Sequence, residues 1–286
     1  MAKQSLMHRE HWKAIAQFGD PEEKQSVAGQ QAANTVEVDP GGASFPTIGA
    51  AIASIEDNSL RKQYLLSVGP GTYKEQVTLK PYVQLQGAGP DQTTITFPPT
   101  ADSFSRGTVI AASNSSVADM TVSCLGGSWG DNSTALLIAG CDPFYASNVA
   151  LLSDDEGNAG VNSETVAVNW NAEPVAQAQV YISYATMGSN LHTNDAAAVG
   201  MIVNGPANAE LIEVKVTATG GAQSFGVQSN GGAVVNLANC FVQGASFALT
   251  IPDDASTLIA TNCQIDGPVG NGVQLVVNPP PAEAAG

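Results

Sequence analysis

The chain has 286 residues, of which 43% are hydrophobic and 13% are charged, and its formal net charge at pH 7 is −16. Residues 107 to 286 carry fifteen acidic residues against a single cation, Lys215. A surface of this sign repels nucleic acid and anionic lipid, so we expect no nucleic-acid partner. No run approaches the eighteen apolar residues that a membrane helix needs, so we expect no membrane insertion. Two interpretations of the acids remain open: they keep a weakly charged surface soluble, or they form an anionic surface with a function.

The N-terminal stretch, residues 1 to 35, is predicted to be a helical arm followed by a polar linker. Leu6, Trp12, Ile15 and Phe18 would form one side of the helix. The stretch lacks the apolar core of a signal peptide. The chain is therefore either cytoplasmic, or secreted or periplasmic after removal of a signal peptide.

The stretch from Val36 to Thr96 carries dense signals for strand, helix and turn in a fixed order. Val36 and Val38 alternate with polar residues, and Ser44 or Thr47 can cap a helix after them. The residues expected on the buried face of this helix are Ile48, Ala51, Ile52 and Ile55. Short strands separated by Gly and Pro turns follow at Tyr64 to Val68, Val77 to Leu79, Val83 to Leu85 and Ile95 to Phe97.

This stretch resembles the opening block of the pectin methylesterases. The matching residues are Thr47-Ile48, Tyr64 to Val68, Pro70-Gly71-Thr72-Tyr73-Lys74-Glu75, Gly87-Ala88-Gly89 and Thr94-Ile95. The resemblance implies a right-handed parallel β-helix of the pectin lyase-like kind. In that family the block starts the β-helix and lies outside the catalytic centre, so it predicts a fold and not an activity.

Self-similarity is the dominant signal in the second half of the chain. Apolar pairs recur at steps of 26 and 23 residues, at Val214/Val216, Cys240/Val242 and Cys263/Ile265. A second register, at steps of 26, 22 and 24 residues, begins at Gly200, Gly226, Ala248 and Gly272. Earlier members of the first ladder are Met120/Val122 and Val149/Leu151, with Ala135 to Ile138 as a partner strand.

This period, with several short strands in each repeat, is typical of a parallel β-helix. We therefore expect an all-β solenoid, a right-handed parallel β-helix over residues 36 to 278 whose first coil is capped by a helix. Residues 279 to 286 would form a stiff Pro/Ala-rich tail. The segment between Asp154 and Ala198 is stretched by insertions, and long excursions from a solenoid usually form its functional surface.

None of the four cysteines shows Cys-x-x-Cys spacing, which argues against a zinc or thioredoxin-type site. In the repeat register, Cys240 and Cys263 lie in neighbouring coils and point inward, where stacked thiols are favoured over a disulfide. Asn239 and Asn262 repeat beside them and predict an amide ladder, either outward or lining a turn.

The resemblance also implies an esterase site of two Asp, one Arg and two Gln on the outer face of the helix. The sequence retains little of this set, since Ser133 and Asp155 stand where Gln is expected and Glu156 stands at the acid. No arginine follows Arg106, so no guanidinium can hold the nucleophile. We therefore expect no ordinary pectin methylesterase activity.

The acidic run Asp154, Asp155 and Glu156 admits three hypotheses. It is a solvated turn, a cation site with Ca²⁺ as the candidate ion, or the acid/base residues of another carbohydrate-active enzyme, a hydrolase, esterase or lyase. In the third hypothesis His192 assists the carboxylates.

Exposed aromatic residues flanked by polar side chains are typical of sugar-binding faces. The candidates for ligand contact are Trp129, Asp131, Asn132, Trp170 and Tyr184. Burial of each tryptophan against the barrel wall is the alternative.

The sequence favours a divergent, non-catalytic pectin methylesterase-like protein that presents a polar acidic face to a polysaccharide or a protein partner. One alternative is a carbohydrate-active enzyme that uses the acidic turn at residues 154 to 156. Another is a structural β-helix whose arm and tail mediate oligomers.

Overall fold

The computed structural model describes residues 34–42, 44–97, 107–125, 133–154, 165–171, 178–192 and 197–277. Of the predicted N-terminal arm only residues 34 and 35 are described, and both belong to the first strand. The Pro/Ala-rich tail lies outside the described residues.

Within these ranges the chain forms one helix, α1 (Ile48–Ser54), and a succession of strands. The strands of the first half are β1 (Asn34–Val38), β2 (Tyr64–Val68), β3 (Gly71–Tyr73), β4 (Val77–Thr78), β5 (Val83–Gln86), β6 (Thr93–Thr96), β7 (Gly107–Ile110), β8 (Ser115–Leu125), β9 (Ser133–Ala139) and β10 (Phe144–Asp154). Those of the second half are β11 (Thr165–Asn171), β12 (Ala178–Ser183), β13 (Thr186–Leu191), β14 (Ala197–Asn204), β15 (Ala207–Ile212), β16 (Lys215–Gly220), β17 (Gln223–Asn230), β18 (Val234–Ala238), β19 (Phe241–Gly244), β20 (Phe247–Thr250), β21 (Thr257–Thr261), β22 (Gln264–Asp266) and β23 (Gln274–Val276). No helix in the described ranges is both long and apolar enough to cross a membrane.

The strands form two parallel sheets, and successive coils add strands to each. The larger sheet has sixteen strands, with a main path in the order β1-β2-β5-β8-β10-β12-β15-β18-β21-β23. In one branch β10 is followed by β13, β16, β19 and β22, and in the other β8 pairs with β6, which pairs with β3. The smaller sheet has seven strands in the order β4-β7-β9-β11-β14-β17-β20. Neighbouring strands pair in parallel because each coil returns to the sheet in the same direction. The predicted parallel β-helix is confirmed.

Helix α1 closes the first coil, as the sequence predicts. Thr47 is its N-cap, and the Thr47 hydroxyl oxygen accepts a hydrogen bond from the Ala50 N–H at 3.2 Å. Ile48, Ala51 and Ile52 are buried, so the predicted apolar face packs on the coil. The helix covers the apolar interior that the first coil would otherwise expose.

The Pro-Gly-x-Tyr-x-Glu motif has a structural explanation. The Tyr73 hydroxyl donates to the carbonyl oxygen of Gly69 at 3.1 Å. The Glu75 carboxylate accepts hydrogen bonds from the N–H groups of Ile48 and Gly49, both at 2.8 Å. Glu75 therefore satisfies two of the unpaired donors at the N-terminus of α1.

Strand β3 begins at Gly71, inside a segment predicted only as a turn. Gly71 has a φ of 151°, which glycine adopts without a steric penalty. Its N–H donates to the carbonyl oxygen of Gln92 at 2.9 Å and so begins the pairing of β3 with β6.

Inward-facing side chains of successive coils stack in continuous rows. One row, paired in register from coil to coil, contains Val122, Leu151, Met187, Val216 and Val242. All five have an exposed fraction of 0%. The predicted ladder is confirmed. Met187 is a further member, between Leu151 and Val216, that the sequence did not reveal because insertions interrupt the repeat there.

A second row consists of turn residues in the left-handed backbone region. Its members, with φ between 51° and 56°, are Asp119, Asn148, Tyr184, Glu213, Asn239 and Asn262. Asn and Asp tolerate this conformation better than other non-glycine residues. The Asn148 amide also donates to the Asp119 carboxylate at 2.7 Å. The repetition of Asn239 and Asn262 therefore reflects a turn that every one of these coils makes.

The predicted second register is wrong in the last coil. Val269, and not the segment that starts at Gly272, bridges to Leu249 in β20. The N–H of Gly270 donates to the Leu249 carbonyl oxygen at 2.9 Å, so this coil closes earlier than the repeat suggests. The residues after Gly272 form β23, which pairs with β21 in the larger sheet. Alternating apolar residues suit both sheets, so the pattern alone does not distinguish them.

Candidate functional site

Asp154 and His192, both singled out in the sequence, lie close together in the structure. Asp154 is the last residue of β10, and His192 directly follows β13. The two strands pair in parallel, with Asp154 opposite Asn190. In the next coil, Asn190 lies opposite Thr219 of β16. Three neighbouring coils thus bring four polar side chains to one outer surface, which we call the outer-face cluster: Asp154, Asn190, His192 and Thr219.

Hydrogen bonds fix the geometry of this cluster. The His192 Nδ1 atom lies 3.3 Å from Oδ1 of Asp154, and the Asn190 amide donates to Oδ2 of Asp154 at 3.1 Å. The Asn190 nitrogen is 3.4 Å from Nε2 of His192. The Thr219 hydroxyl donates to the Asn190 side-chain oxygen at 2.9 Å. A neutral imidazole with its proton on Nδ1 satisfies both contacts of His192.

The cluster is open to solvent. The exposed fractions of the His192 and Asp154 side chains are 49% and 32%. Even if His192 were protonated, an ion pair this exposed would contribute only about 0.2–1 kcal/mol to stability, because water screens the charges. The contacts of the cluster therefore matter more for the position of its side chains than for the stability of the fold.

These groups support two kinds of chemistry. A carboxylate, an amide and a hydroxyl together supply acceptors and donors for the hydroxyl groups of a sugar. A histidine paired with a carboxylate can also hold or transfer a proton near neutral pH. The structure thus provides a polar binding surface with an acid/base group in it.

Asn190 and Thr219 were not predicted as site residues. Insertions interrupt the sequence repeat in this segment. The register that places Asn190 opposite Asp154 was therefore not recognised from the sequence. The useful signal is the row of buried residues Leu151, Met187 and Val216. Counting three residues onward from each gives Asp154, Asn190 and Thr219, which lie on the opposite face of the sheet.

Tyr184 does not join the cluster. It precedes β13, whereas His192 follows that strand, so the strand separates them by about 25 Å at roughly 3.3 Å per residue. Tyr184 occupies a turn position with a φ of 51°, and its side chain is exposed. Partial burial, together with the negative charge of Glu213, raises the pKa of its phenol.

The remaining predicted site residues have no described side chains. Asp155, Glu156, Trp129, Asp131 and Asn132 lie outside the described residues. Trp170 lies in β11, in register with Ile138 and Val203, which are both buried. The parts of the chain that the structure describes contain no group of three potential metal ligands among His, Cys, Asp and Glu. The calcium hypothesis for residues 154 to 156 stays a prediction.

Two aromatic pairs lie on the outer faces of the sheets. Tyr145 and Tyr181 stack with their ring centroids 5.3 Å apart and an angle of 11° between the planes. Phe225 and Phe247 stack at 6.3 Å and 4°. Each ring covers one face of its partner, as expected when like residues occupy equivalent positions of neighbouring coils. These pairs therefore stabilise the stack of coils.

Comparison with known proteins shows similarity at the level of structure. No protein-family model matches the sequence, and no curated protein matches it. The pectin methylesterase from carrot aligns with a TM-score of 0.54 and 13% identity, covering 87% of this chain and 90% of that chain. A pectin methylesterase mutant in complex with a hexasaccharide aligns with a TM-score of 0.51 and 13% identity, covering 87% and 82%. The enzyme from Aspergillus niger gives a TM-score of 0.49 at 16% identity, with 90% and 89% covered. The chain has the pectin methylesterase-like, right-handed parallel β-helix fold.

Proposed function

We propose that the protein is a divergent, non-catalytic pectin methylesterase-like β-helix that binds a neutral glycan through the outer-face cluster. The main support is the convergence of Asp154, Asn190, His192 and Thr219 from three coils on one exposed surface. The likeness in fold to a pectin methylesterase solved with a hexasaccharide is consistent with this proposal.

The cluster suits the recognition of sugar hydroxyls, which both donate and accept hydrogen bonds. The Asp154 carboxylate accepts, whereas the Asn190 amide and the Thr219 hydroxyl do both. Their mutual hydrogen bonds hold them in place before a ligand arrives. Binding then costs less side-chain entropy than it would with free side chains.

The charge of the chain favours a neutral glycan over a polyuronate. No arginine follows Arg106, and the single lysine after it, Lys215, lies with its ammonium 5.8 Å from the ring centroid of Phe241. Fifteen acidic residues share this part of the chain with Lys215. A carboxylated sugar would be repelled by the acids and would find no guanidinium.

A binding screen tests the proposal. The protein is titrated with neutral polysaccharides and with polygalacturonate, beside the variants Asn190→Ala and Asn236→Ala. Asn236 is a matched control because it is an exposed amide on β18, outside the cluster. We expect neutral glycans to bind, and Asn190→Ala to lose about tenfold in affinity, or about 1.4 kcal/mol, with Asn236→Ala unchanged. A preference for polygalacturonate, or equal losses in the two variants, would contradict the proposal.

An enzymatic function is the second candidate, and the 3.3 Å contact between His192 and Asp154 favours it. In this hypothesis His192 acts as a general acid or base, and Asp155 or Glu156 supplies a further carboxylate. Release of methanol, reducing ends or unsaturated products is measured on the same glycans. The candidate predicts that turnover is lost in His192→Gln and in Glu156→Gln while the melting temperature stays the same. Absence of turnover on every glycan that binds would exclude it.

A further inference from the structure

Two cysteines face each other in the last two coils of the larger sheet. Strands β19 and β22 pair in parallel, with Phe241 opposite Gln264, and Cys240 and Cys263 directly precede these residues. The Gln264 N–H donates to the carbonyl oxygen of Cys240 at 2.8 Å, and the Cys240 N–H donates to Sγ of Cys263 at 3.4 Å. The register therefore extends to the cysteines themselves.

Their separation is compatible with a covalent bond. Directly opposed residues of neighbouring strands are about 4.8 Å apart, inside the range of roughly 4.4–6.8 Å between the Cα atoms of disulfide-bonded cysteines. Both residues follow an asparagine in the left-handed turn, so their backbones adopt the same geometry in the two coils. In the structure both are free thiols.

The two thiols differ in their surroundings. Cys240 is buried, with an exposed fraction of 3%, and its Sγ lies 3.3 Å from the carbonyl oxygen of Ala238. Cys263 is partly exposed, because β22 lies at the end of its row of strands. Hydrogen bonds from the Cys240 thiol and from the Cys240 N–H lower the pKa of Cys263 to about 7, against the opposing effect of burial. The hydrogen bond with Cys263, and then burial, raise the pKa of Cys240.

We propose that Cys240 and Cys263 form an oxidisable dithiol, a modification site at which a low-molecular-weight disulfide cross-links the last two coils. The Cys263 thiolate attacks one sulfur of the external disulfide, forms a mixed disulfide and releases one external thiolate, which takes up the proton that Cys263 lost. The Cys240 sulfur then attacks Sγ of Cys263, and the Cys240 proton leaves with the second external thiol. The external disulfide is reduced to two thiols while the cysteine pair is oxidised to one disulfide.

The position of the pair in the ladder gives variants that are compatible with the fold. The residues equivalent to Cys240 in earlier coils are apolar, and Val214 is the one directly before it, since the Phe241 N–H donates to the Val214 carbonyl oxygen. Cys240→Val therefore places in this coil the residue found in the coil before. Cys263→Ser is suited to the partly exposed position. Cys124 and Cys141, both buried, serve as internal controls.

The test equilibrates the full chain with mixtures of reduced and oxidised glutathione, then traps free thiols with a maleimide under denaturing conditions. We expect the wild type to lose two of its four thiols and to yield a cross-linked peptide pair containing Cys240 and Cys263. Cys240→Val should stop at a glutathione adduct on Cys263, and Cys263→Ser should keep all of its thiols. A double Cys124→Ala/Cys141→Ala variant should still form the cross-link.

Two results would overturn the proposal. One is a folded wild type that retains four thiols in the most oxidising mixture. The other is loss of thiols spread over all four cysteines without a Cys240–Cys263 peptide pair. Circular dichroism of each variant, recorded before oxidation, shows that the comparison is made on folded protein.

Discussion

The cap that Glu75 forms on α1 gives a prediction whose size follows from the structure. Both carboxylate oxygens accept a backbone N–H at 2.8 Å, one from Ile48 and one from Gly49. A hydrogen bond to a charged group contributes about 1.5–3 kcal/mol, and a negative charge at a helix N-terminus contributes about 0.3–1 kcal/mol. Gly49 is exposed, so water replaces part of its bond when the carboxylate is removed.

Two substitutions separate these contributions. Glu75→Gln keeps one acceptor and loses the charge, so we expect a loss of about 1–2 kcal/mol in the free energy of unfolding. Glu75→Ala loses both bonds and should cost about 2–3 kcal/mol. Urea unfolding measures the change, and hydrogen exchange at the amides of Ile48 and Gly49 localises it. Glu37→Gln, an exposed acid on β1, is the matched control.

We expect the free energy of unfolding to be lowest for Glu75→Ala and higher for Glu75→Gln. That of Glu37→Gln should be close to the wild-type value. Exchange at the amides of Ile48 and Gly49 should become faster in both Glu75 variants. If Glu75→Ala stays within about 0.5 kcal/mol of Glu37→Gln, the size of an ordinary surface substitution, the cap does not stabilise the first coil and the reasoning fails.

Further predictions concern the core, the turns and the thiols. Leu151→Ala removes a fully buried side chain from the inward row and should cost about 3 kcal/mol in urea unfolding. Gly226→Ala should cost about 1–3 kcal/mol, because the added Cβ would lie 2.4 Å from the carbonyl oxygen of Ala248. Glu213→Asn should raise the melting temperature, with a gain of up to about 1 kcal/mol, since asparagine tolerates the φ of 55° better than glutamate. Alkylation of Cys263 by iodoacetamide should accelerate about tenfold between pH 6 and 8, because the fraction of thiolate rises through a pKa of about 7. An ordinary cysteine pKa of about 8.5 would instead give a rise of roughly 75-fold over this range and a further rise above pH 8, and that result would contradict this last prediction.

The start of the fold was predictable because its signals are local. Thr47 and the apolar face of α1 lie within one stretch of sequence, and so do the boundaries of β2. The contact of Glu75 with α1 was not predictable in the same way, because it joins residues 26 and 27 positions apart. The motif from Pro70 to Glu75, which resembles that of the pectin methylesterases, indicated the fold but did not show that Glu75 bonds to α1.

The later coils show where sequence patterns succeed and where they fail. The ladder through Val216 and Val242 was predicted because equal spacing and apolar character coincide there. The last coil was misassigned, since the apolar alternation after Gly272 suits either sheet and only the hydrogen bonds of the shortened coil decide between them.

The candidate site was predicted by residue type and not by contact. Asp154 and His192 were chosen as a carboxylate and an imidazole in an inserted region, and their contact depends on the pairing of β10 with β13. Asn190 bonds to Asp154 across 36 residues of sequence, and Thr219 bonds to Asn190 across 29 residues. Both contacts depend on the register of the paired strands. Because the insertions differ in length, that register cannot be recognised from the sequence alone.

The most direct test of the central claim is to map where a bound glycan protects the protein. Amide hydrogen exchange is recorded with and without the neutral oligosaccharide that binds best in the screen. The account predicts slower exchange at the end of β10, the end of β13 and the end of β16, around Asp154, Asn190 and Thr219, and no change at β1 and β2. Protection confined to another face, or no binding of any neutral oligosaccharide, would contradict a glycan site at the outer-face cluster.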